Sequence, residues 1–276
     1  MLCEILWVSL SGYYKYIHLA NRFNTKEDRE KEDIEIIKKY CHTRKKGYRR
    51  VTMELCKNWV SMNHKKVLRL MGKYDLLSKI RKKNPYRQIA KATQEHRSVA
   101  NILQRNFSWV TPLQKLWTDI SYLHYNGTRA YISILKDMIT WEVISHKVSQ
   151  NLWIWFVLDT IEDAKKQLHI WSLIQSDQWW HYTHPSYQKL LKENEFIQSM
   201  SRRWNCLDNA PTESFFGHMK DELNYSHCRT FSELQEYCDA YIHFYNNDRQ
   251  QWARKKMTPV EYRNHLLEIS KQKHIV

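Results

Sequence analysis

Glycine is scarce in this chain of 276 residues, which has 5 glycines and 12 tryptophans. Average usage would give about 19 glycines at this length. The hydrophobic fraction of 42% and the charged fraction of 26% are, by contrast, ordinary for a globular protein. The length is sufficient for a real core and predicts two domains.

Paired cysteines and long apolar runs are also missing. The six cysteines include no CxxC pair and no zinc-like spacing with histidine, and scattered thiols are typical of a cytosolic protein. No stretch of 18 apolar residues exists, and the apolar run in the first residues is too short for a secretory signal. The sequence therefore predicts a cytoplasmic protein with no membrane segment.

The excess positive charge lies entirely in the first part of the chain. The net charge is +15, with 25 Lys and Arg against 10 Asp and Glu in residues 1–110, and 19 against 19 in residues 111–276. A basic module joined to a neutral one is typical of a protein that grips a polyanion with one part and performs another task with the other. A basic face that serves only solubility is the alternative reading.

Three short helices are predicted in the first part by apolar residues at helical spacing. They cover residues 26–42, YRRVTMELCKNW and NHKKVLRLMGKYDLL. As the last helix of a helix-turn-helix unit, the third could enter a DNA groove with its basic face. The cations of this face are Lys65, Lys66, Arg69 and Lys73.

From about residue 109 the sequence has a mixed α/β pattern. Asn126-Gly127 separates the first two of three consecutive strands, which predicts an antiparallel meander. Helices and strands then alternate up to residue 201, and two helices follow near 208–223 and 231–246. This order indicates a mixed sheet with helices.

Three acids in this second part are candidates for one site. Asp119 lies in the first strand, Asp177 at the end of the fourth, and Glu213 one turn into a helix. Converging carboxylates repel one another unless they hold divalent metal, and two Mg²⁺ ions about 4 Å apart can activate a water or a 3′-hydroxyl. Lys220, two turns after Glu213, would then meet a DNA phosphate. Because the chain has 29 acids, spacing alone leaves structural roles for Asp119 and Glu213 open.

Several long blocks in a fixed order resemble one protein family. WTDISYL, SDQWWHYTHPSYQKLL, SMSRRWNCLDNAPTESFFGHMKDE and YIHFYNNDRQQ resemble the catalytic half of bacterial insertion-sequence transposases of family three, which belong to the retroviral-integrase superfamily. VSLSGYY, KKGYRRVTMEL and NHKKVLRLMGKYDLL resemble the helix-turn-helix-like region before that core. The resemblance covers nearly all of the chain.

The resemblance implies an α/β fold: an RNase H-like integrase catalytic core with a mixed five-stranded sheet, preceded by a small all-α helix-turn-helix-like domain. The implied divisions are an N-terminal extension (1–25), the helix-turn-helix-like region (26–90), a basic linker (91–108) and the core (109–270). The implied ligands of Mg²⁺ or Mn²⁺, two ions in all, are Asp119, Asp177 and Glu213. Asn209 matches a turn-ordering residue, and Arg249 matches one that is either structural or DNA-facing.

The function implied by the resemblance is transposition. Such an enzyme binds insertion-sequence ends, nicks or joins 3′ ends, and transfers them to target DNA as a homo-oligomer, with or without the product of an upstream reading frame. The implied location is the nucleoid of a bacterium, with the gene belonging to the cell, a mobile element or a phage. Two alternatives stay open: a catalytically impaired remnant that only binds DNA, and an RNase H-like nuclease, which the helix-turn-helix-like region disfavours.

Tryptophan stands where the family has glycine at several positions, and Gln175 stands where the family has histidine. One base change separates a Gly codon from a Trp codon. A decaying gene or an altered codon reading would therefore explain both the low number of glycines and the high number of tryptophans. After Asp177, glycine would allow positive φ and a close backbone approach, so a tryptophan there predicts weak catalysis. Base stacking on that ring is the alternative. The tryptophans concerned are Trp7, Trp59, Trp179 and Trp204.

Overall fold

The protein is described by a computed structural model over residues 9–41, 46–78, 102–103, 111–201, 210–223 and 225–273. The chain divides into two compact units, Met1–Arg81 and Lys82–Val276. The domain boundaries expected from the sequence stay predictions, and most of the expected linker (91–108) lies outside the described residues, as do Trp7, Trp204 and Asn209. Helices in the described ranges are too short or too polar to cross a membrane.

The first unit contains three helices that share one apolar core. Ile34 and Ile37 of the first helix pack with Val51 of the second and with Val67 and Leu70 of the third. The Asn63 side chain caps the third helix by accepting a hydrogen bond from the Lys65 backbone N–H at 2.9 Å. The helices are α1 (Leu10–Cys41), α2 (Tyr48–Lys57) and α3 (His64–Lys73).

Helix α1 begins sixteen residues before the start expected from the sequence, at Leu10 instead of residue 26. Residues 13–41 contain neither glycine nor proline, so nothing in this segment terminates a helix. The acidic-to-basic change after residue 26 marks the part of the helix that packs in the core and not its beginning.

The second unit is built on a five-stranded mixed sheet of strand order β3-β2-β1-β4-β5. Asn126 and Gly127 form the first hairpin turn with φ of 41° and 71°, as a turn with two left-handed residues requires. The first three strands pair antiparallel, and β4 and β5 add parallel to β1. The predicted meander and mixed sheet are confirmed. The strands are β1 (Lys115–Tyr125), β2 (Thr128–Asp137), β3 (Val143–Ser149), β4 (Leu173–Ser176) and β5 (Ile197–Met200).

Helices cover both faces of this sheet. Leu116 and Ile120 of β1 face one apolar cluster, whereas Leu123 and Tyr125 face the other, because successive side chains of a strand point to opposite faces. The first cluster includes residues of α4 and α6, and the second includes residues of α7 and α8. The helices are α4 (Ile154–Ala164), α5 (Trp180–Thr183), α6 (Pro185–Glu193), α7 (Ala210–Glu222), α8 (Phe231–Asn247) and α9 (Pro259–Lys273).

Arg249 is a structural residue of this unit. Its guanidinium is buried and donates to both carboxylate oxygens of Glu222 at 3.0 and 3.2 Å, and to the Gln251 side chain at 3.1 Å. A fork of donors matched to a carboxylate is the geometry that holds a buried arginine in place. Of the two roles that the family resemblance left open, the structure therefore supports the structural one.

Lys136 is a second buried cation, placed among aromatic rings near the end of β2. Its ammonium lies 5.1 Å from the ring centroid of Phe215 and 5.6 Å from that of Tyr245. Burial, reinforced by the charges of Arg249 and Arg254, lowers the pKa of Lys136 to about 7. The folded chain therefore disfavours the charged amine.

We expect Lys136→Met to raise the melting temperature most at or below pH 7. There Lys136 is charged in both the folded and the unfolded chain, and the folded chain bears the full cost of burying the charge. Between pH 7 and the ordinary lysine pKa of about 10.4, the unfolded chain binds more protons, so the stability of the wild type rises with pH and the advantage of methionine shrinks.

Thermal melts of both proteins at pH 6.5 and pH 10 measure this effect, with Lys271→Met on the exposed part of α9 as the control. The Lys271 variant should shift little at either pH. An equal shift at both pH values for Lys136→Met would show that packing, not charge burial, governs this position.

Candidate active site

Asp119 lies on β1, and Asp177 is the first residue after β4, the strand that pairs parallel to β1. Trp117 of β1 pairs with Gln175 of β4. Continuing this register by two residues sets Asp119 beside Asp177, where β4 has just ended at Ser176. Neighbouring strands are about 4.8 Å apart, so both carboxylates can reach one small volume.

Local contacts hold the two acids. Asp119 Oδ1 accepts a hydrogen bond from the Ile120 N–H at 2.8 Å, and Asp177 Oδ1 accepts one from the Trp179 N–H at 2.9 Å. Tyr182 of α5 is completely buried near both acids. Burial first, and then the negative charges of Asp119 and Asp177, raise the pKa of Tyr182 well above its ordinary value. The charges of both carboxylates therefore act on the same buried hydroxyl, that of Tyr182.

Glu213 lies in the first turn of α7 and its side chain is exposed. Further along α7, Phe215 and Met219 pack against Leu123. Asp119 is on the same face of β1 as Leu123, so the helix that carries Glu213 covers the Asp119 side of the sheet. Within the described ranges no three His, Cys, Asp or Glu side chains are grouped closely enough to hold a metal ion. The structure therefore brings the two aspartates together without completing a group of three.

The paired aspartates suit a hard divalent cation. Carboxylate oxygens are the ligands that Mg²⁺ and Mn²⁺ prefer, and Mg²⁺ is commonly held by one or two carboxylates together with water and substrate phosphates. The site is at the end of β4, where β1 continues alone on that side of the sheet. A phosphate could therefore approach the two acids from this edge.

Lys220 supplies positive charge on α7. Its ammonium lies 4.2 Å from the ring centroid of Tyr122, a close cation–π contact. Tyr122 is 47% exposed, so the contact is at the surface. Tyr122 follows Asp119 by three residues on β1 and points to the opposite face of the strand, so a position of Lys220 beside the acids stays a prediction.

Family models match both units of the chain. A model described as an HTH-like domain matches residues 27–84. Two models described as an integrase core domain match residues 110–206 and 213–267. Asp119 and Asp177 fall within the first of the two core matches, and Glu213 begins the second.

The chain is 39% identical over 221 residues to the InsK transposase of insertion sequence element IS150 of Escherichia coli, covering 79% of this chain and 77% of the relative. The chain belongs to the family of bacterial insertion-sequence transposases. A transposase-like protein of Haemophilus influenzae is 34% identical over 218 residues, covering 75% of this transposase and 96% of the relative. The InsF transposase of insertion sequence IS3A of Escherichia coli is 25% identical over 276 residues, covering 95% and 93%. The family expected from the sequence is confirmed.

Among solved structures, the catalytic core domain of HTLV-2 integrase in complex with magnesium matches with a TM-score of 0.46 and 13% identity. The match covers 55% of the transposase and 97% of that chain. The catalytic core domain of BIV integrase matches with a TM-score of 0.44 and 17% identity, covering 59% and 99%.

The cations of α3 that are predicted to bind DNA also form ion pairs within the first unit of the transposase. Hydrogen bonds from Arg69 and then Lys73 lower the pKa of Glu30 to about 2. Lys65 is exposed. Part of the positive charge of this face is therefore balanced by α1, and the contact with DNA stays a prediction. The ion pairs are Lys66 with Asp33, Arg69 with Glu30 at 2.7 Å, and Lys73 with Glu30 at 2.9 Å.

Trp179 follows Asp177 with φ of −67° and ψ of 151°, which is backbone that any residue adopts. Trp179 does not use the positive φ that glycine would allow here, because the Asp177 carboxylate accepts a hydrogen bond from the Trp179 N–H and the backbone stays extended. The ring is 36% exposed. It lines a shallow groove of about 360 Å³ together with Tyr122, His124, Arg129, Tyr131 and Leu152.

Tyr182 is the site residue that sequence reasoning missed. It is five residues after Asp177 in the short helix α5, and its buried side chain lies close enough to both acids for their charges to raise its pKa. In the sequence it is one of 17 tyrosines. Only the return of α5 to the sheet distinguishes it.

Proposed function

We propose that this transposase cuts and joins DNA strands at the ends of its insertion sequence, using Asp119, Asp177 and Glu213 as metal ligands. The observation that carries the proposal is the register that sets Asp119 beside Asp177. Mg²⁺ or Mn²⁺, two ions in all, would activate the attacking oxygen and stabilise the leaving one. Glu213 would complete the ligand set from α7.

The proposed chemistry is two successive displacements at phosphorus. In cleavage, a water oxygen bonds to phosphorus at the element end, the bond to the 3′ oxygen breaks, and that oxygen takes up a proton while the water releases one. In joining, this 3′ oxygen loses its proton and bonds to a target phosphorus, and the 3′ oxygen of the target strand leaves and is protonated. Asp119 and Asp177 would act in both steps by holding the divalent cations, which would in turn fix the reacting phosphate in one geometry.

The proposed partners follow from this chemistry. The first unit would hold element ends through Lys65, Lys66, Arg69 and Lys73, and Lys220 would contact a phosphate beside the acids. Joining two element ends to one target requires at least two active sites, so we propose a homo-oligomer on DNA. The product of an upstream reading frame is a further proposed partner, and the bacterial nucleoid the proposed location.

A DNA-binding remnant is the second candidate, favoured by the large ring of Trp179 next to the metal ligand Asp177. A strand-transfer assay with oligonucleotides that carry the ends of the element separates the two. Joining that requires Mg²⁺ or Mn²⁺ supports the enzyme. End-binding without any joining supports the remnant.

We expect the fragment 1–110 to bind DNA with an affinity that falls on the order of a thousandfold between 50 and 200 mM salt, because phosphate contacts release counterions. The fragment carries 25 basic against 10 acidic residues. The fragment 111–276, with 19 of each, is the matched control and should bind weakly. Fluorescence anisotropy with labelled DNA measures both. An affinity of fragment 1–110 that hardly changes with salt would argue against phosphate contact as its main role.

A further inference from the structure

Three tryptophans have left-handed backbone. We infer that the native protein has glycine at these three positions, because their shared codon is read as glycine in the cell of origin. In the described ranges nine non-glycine residues have positive φ, and three of them are Trp59, Trp141 and Trp171, with φ of 62°, 66° and 69°. Tryptophan makes up 12 of 276 residues, so this share is far above its abundance. Left-handed backbone brings the Cβ of an L-residue too close to the following carbonyl, which glycine avoids.

Trp59 occupies the glycine position of a helix C-terminal motif. After α2 ends, the Trp59 N–H donates to the Cys56 carbonyl at 3.1 Å and the Val60 N–H donates to the Leu55 carbonyl at 2.9 Å. These two bonds define the Schellman motif, whose left-handed residue is usually glycine. The Trp59 side chain is 96% exposed, so no packing contact compensates for the unfavourable backbone.

Trp171 occupies the glycine position of a β-turn before β4. The Ser172 N–H donates to the His169 carbonyl at 3.0 Å, which makes Trp171 the third residue of the turn. A positive φ at the third residue is the mark of a type II turn, where glycine is strongly preferred. This side chain is also largely exposed, at 68%.

Trp141 lies at the end of the β2–β3 hairpin loop, just before strand pairing resumes. Its N–H donates to the Asp137 carbonyl at 3.1 Å, and the Asp137 N–H donates to the Glu142 carbonyl at 2.8 Å. A left-handed residue at this point of a hairpin loop is typically glycine. Within the part of the chain that the structure describes, the Trp141 ring, unlike the other two, makes a cation–π contact, with the Arg254 guanidinium 4.4 Å from its centroid.

Tryptophan recurs three times among the nine non-glycine residues with positive φ in the described ranges, and this recurrence favours altered codon reading over gene decay. Decay would turn glycine codons into those of several residues one base away, and would also damage buried positions. In the described residues the same amino acid recurs at three unrelated turns, while the apolar clusters and the buried Arg249–Glu222 pair are intact. A single codon with two readings, UGA, accounts for both observations, since it can be translated as tryptophan or reassigned to glycine.

The nucleotide sequence of the gene tests the codon directly. We expect UGA at Trp59, Trp141 and Trp171, and UGG at Trp117, which is 3% exposed in the core. Mass spectrometry of the protein from its own cells should then find glycine at 59 and 171. The same UGG codon at Trp59 and Trp117, or tryptophan in the native peptides, would overturn the inference.

Stability of the recombinant protein tests the backbone argument by itself. Trp59→Gly should raise the melting temperature of the first unit by about 4 °C, whereas Trp59→Ala, which removes the ring but keeps Cβ, should give less than half of that gain. Trp155→Gly removes a ring that is 65% exposed from the first turn of α4, where the backbone is helical and not left-handed, and should not raise the melting temperature. An equal gain from Trp59→Ala and Trp59→Gly would show that the ring, not the left-handed backbone, is unfavourable.

Discussion

Strand transfer should fall on the order of a thousandfold or more when Asp119, Asp177 or Glu213 is replaced by its amide, because residues that act as one unit in catalysis each remove most of the activity. A neutral amide does not balance the charge of a divalent cation. The measurement is the rate of joining of labelled element ends to target DNA in Mg²⁺, together with a gel-shift titration of end-binding. End-binding should change little, since the first unit has its own core.

Asp159→Asn provides the control, as this acid is exposed on α4. It should leave joining and binding close to those of the wild type. If all three amide variants lose folding or end-binding, the acids have structural roles. If they keep joining activity, the reaction does not depend on these carboxylates.

Trp179→Gly should raise strand transfer at least severalfold. The backbone N–H of residue 179 holds the Asp177 carboxylate, and glycine keeps that donor while removing the ring beside it. The ring follows Asp177 by two residues and lines a groove with Tyr122 and Arg129, and we expect a DNA strand to pass along this groove. Because misplacement of reacting groups by about 1 Å can reduce a rate on the order of a hundredfold, clearing this space should allow a better geometry.

Trp252→Gly is the matched control, because Trp252 is 37% exposed and precedes α9. This change should leave the joining rate within about twofold of the wild type, whereas a gain equal to that of Trp179→Gly would point to a general effect on solubility or stability. A loss of activity in Trp179→Gly would show that the ring is a working DNA contact. Affinity for element ends should stay nearly constant in both variants.

Elements with strong local signals could be predicted from the sequence. The strands of the meander alternate apolar and polar residues around Asn126-Gly127, and their order follows from short connections. The part of α1 before residue 26 and the helix α9 could not be placed by apolar spacing, because residues 10–17 and much of α9 are exposed. At α9 a usable signal was present in TPVE, where Thr258 and Glu261 form a reciprocal cap at 2.8 and 3.2 Å.

The site was predictable only in part. Resemblance located Asp119 and Asp177, and the parallel pairing of β1 with β4 explains why residues so far apart in sequence meet. The extended backbone at Trp179 could not be predicted, because the hydrogen bond from its N–H to Asp177 cannot be recognised from residue types. Tyr182 could not be found either, since its role depends on the fold of α5 against the sheet.

Binding of Mn²⁺, followed by electron paramagnetic resonance of the free ion, tests the central claim most directly. The wild type in complex with element-end DNA should bind Mn²⁺, and both Asp119→Asn and Asp177→Asn should lose that binding while Asp159→Asn retains it. Equal Mn²⁺ binding by all four proteins would contradict a metal site built on the paired aspartates.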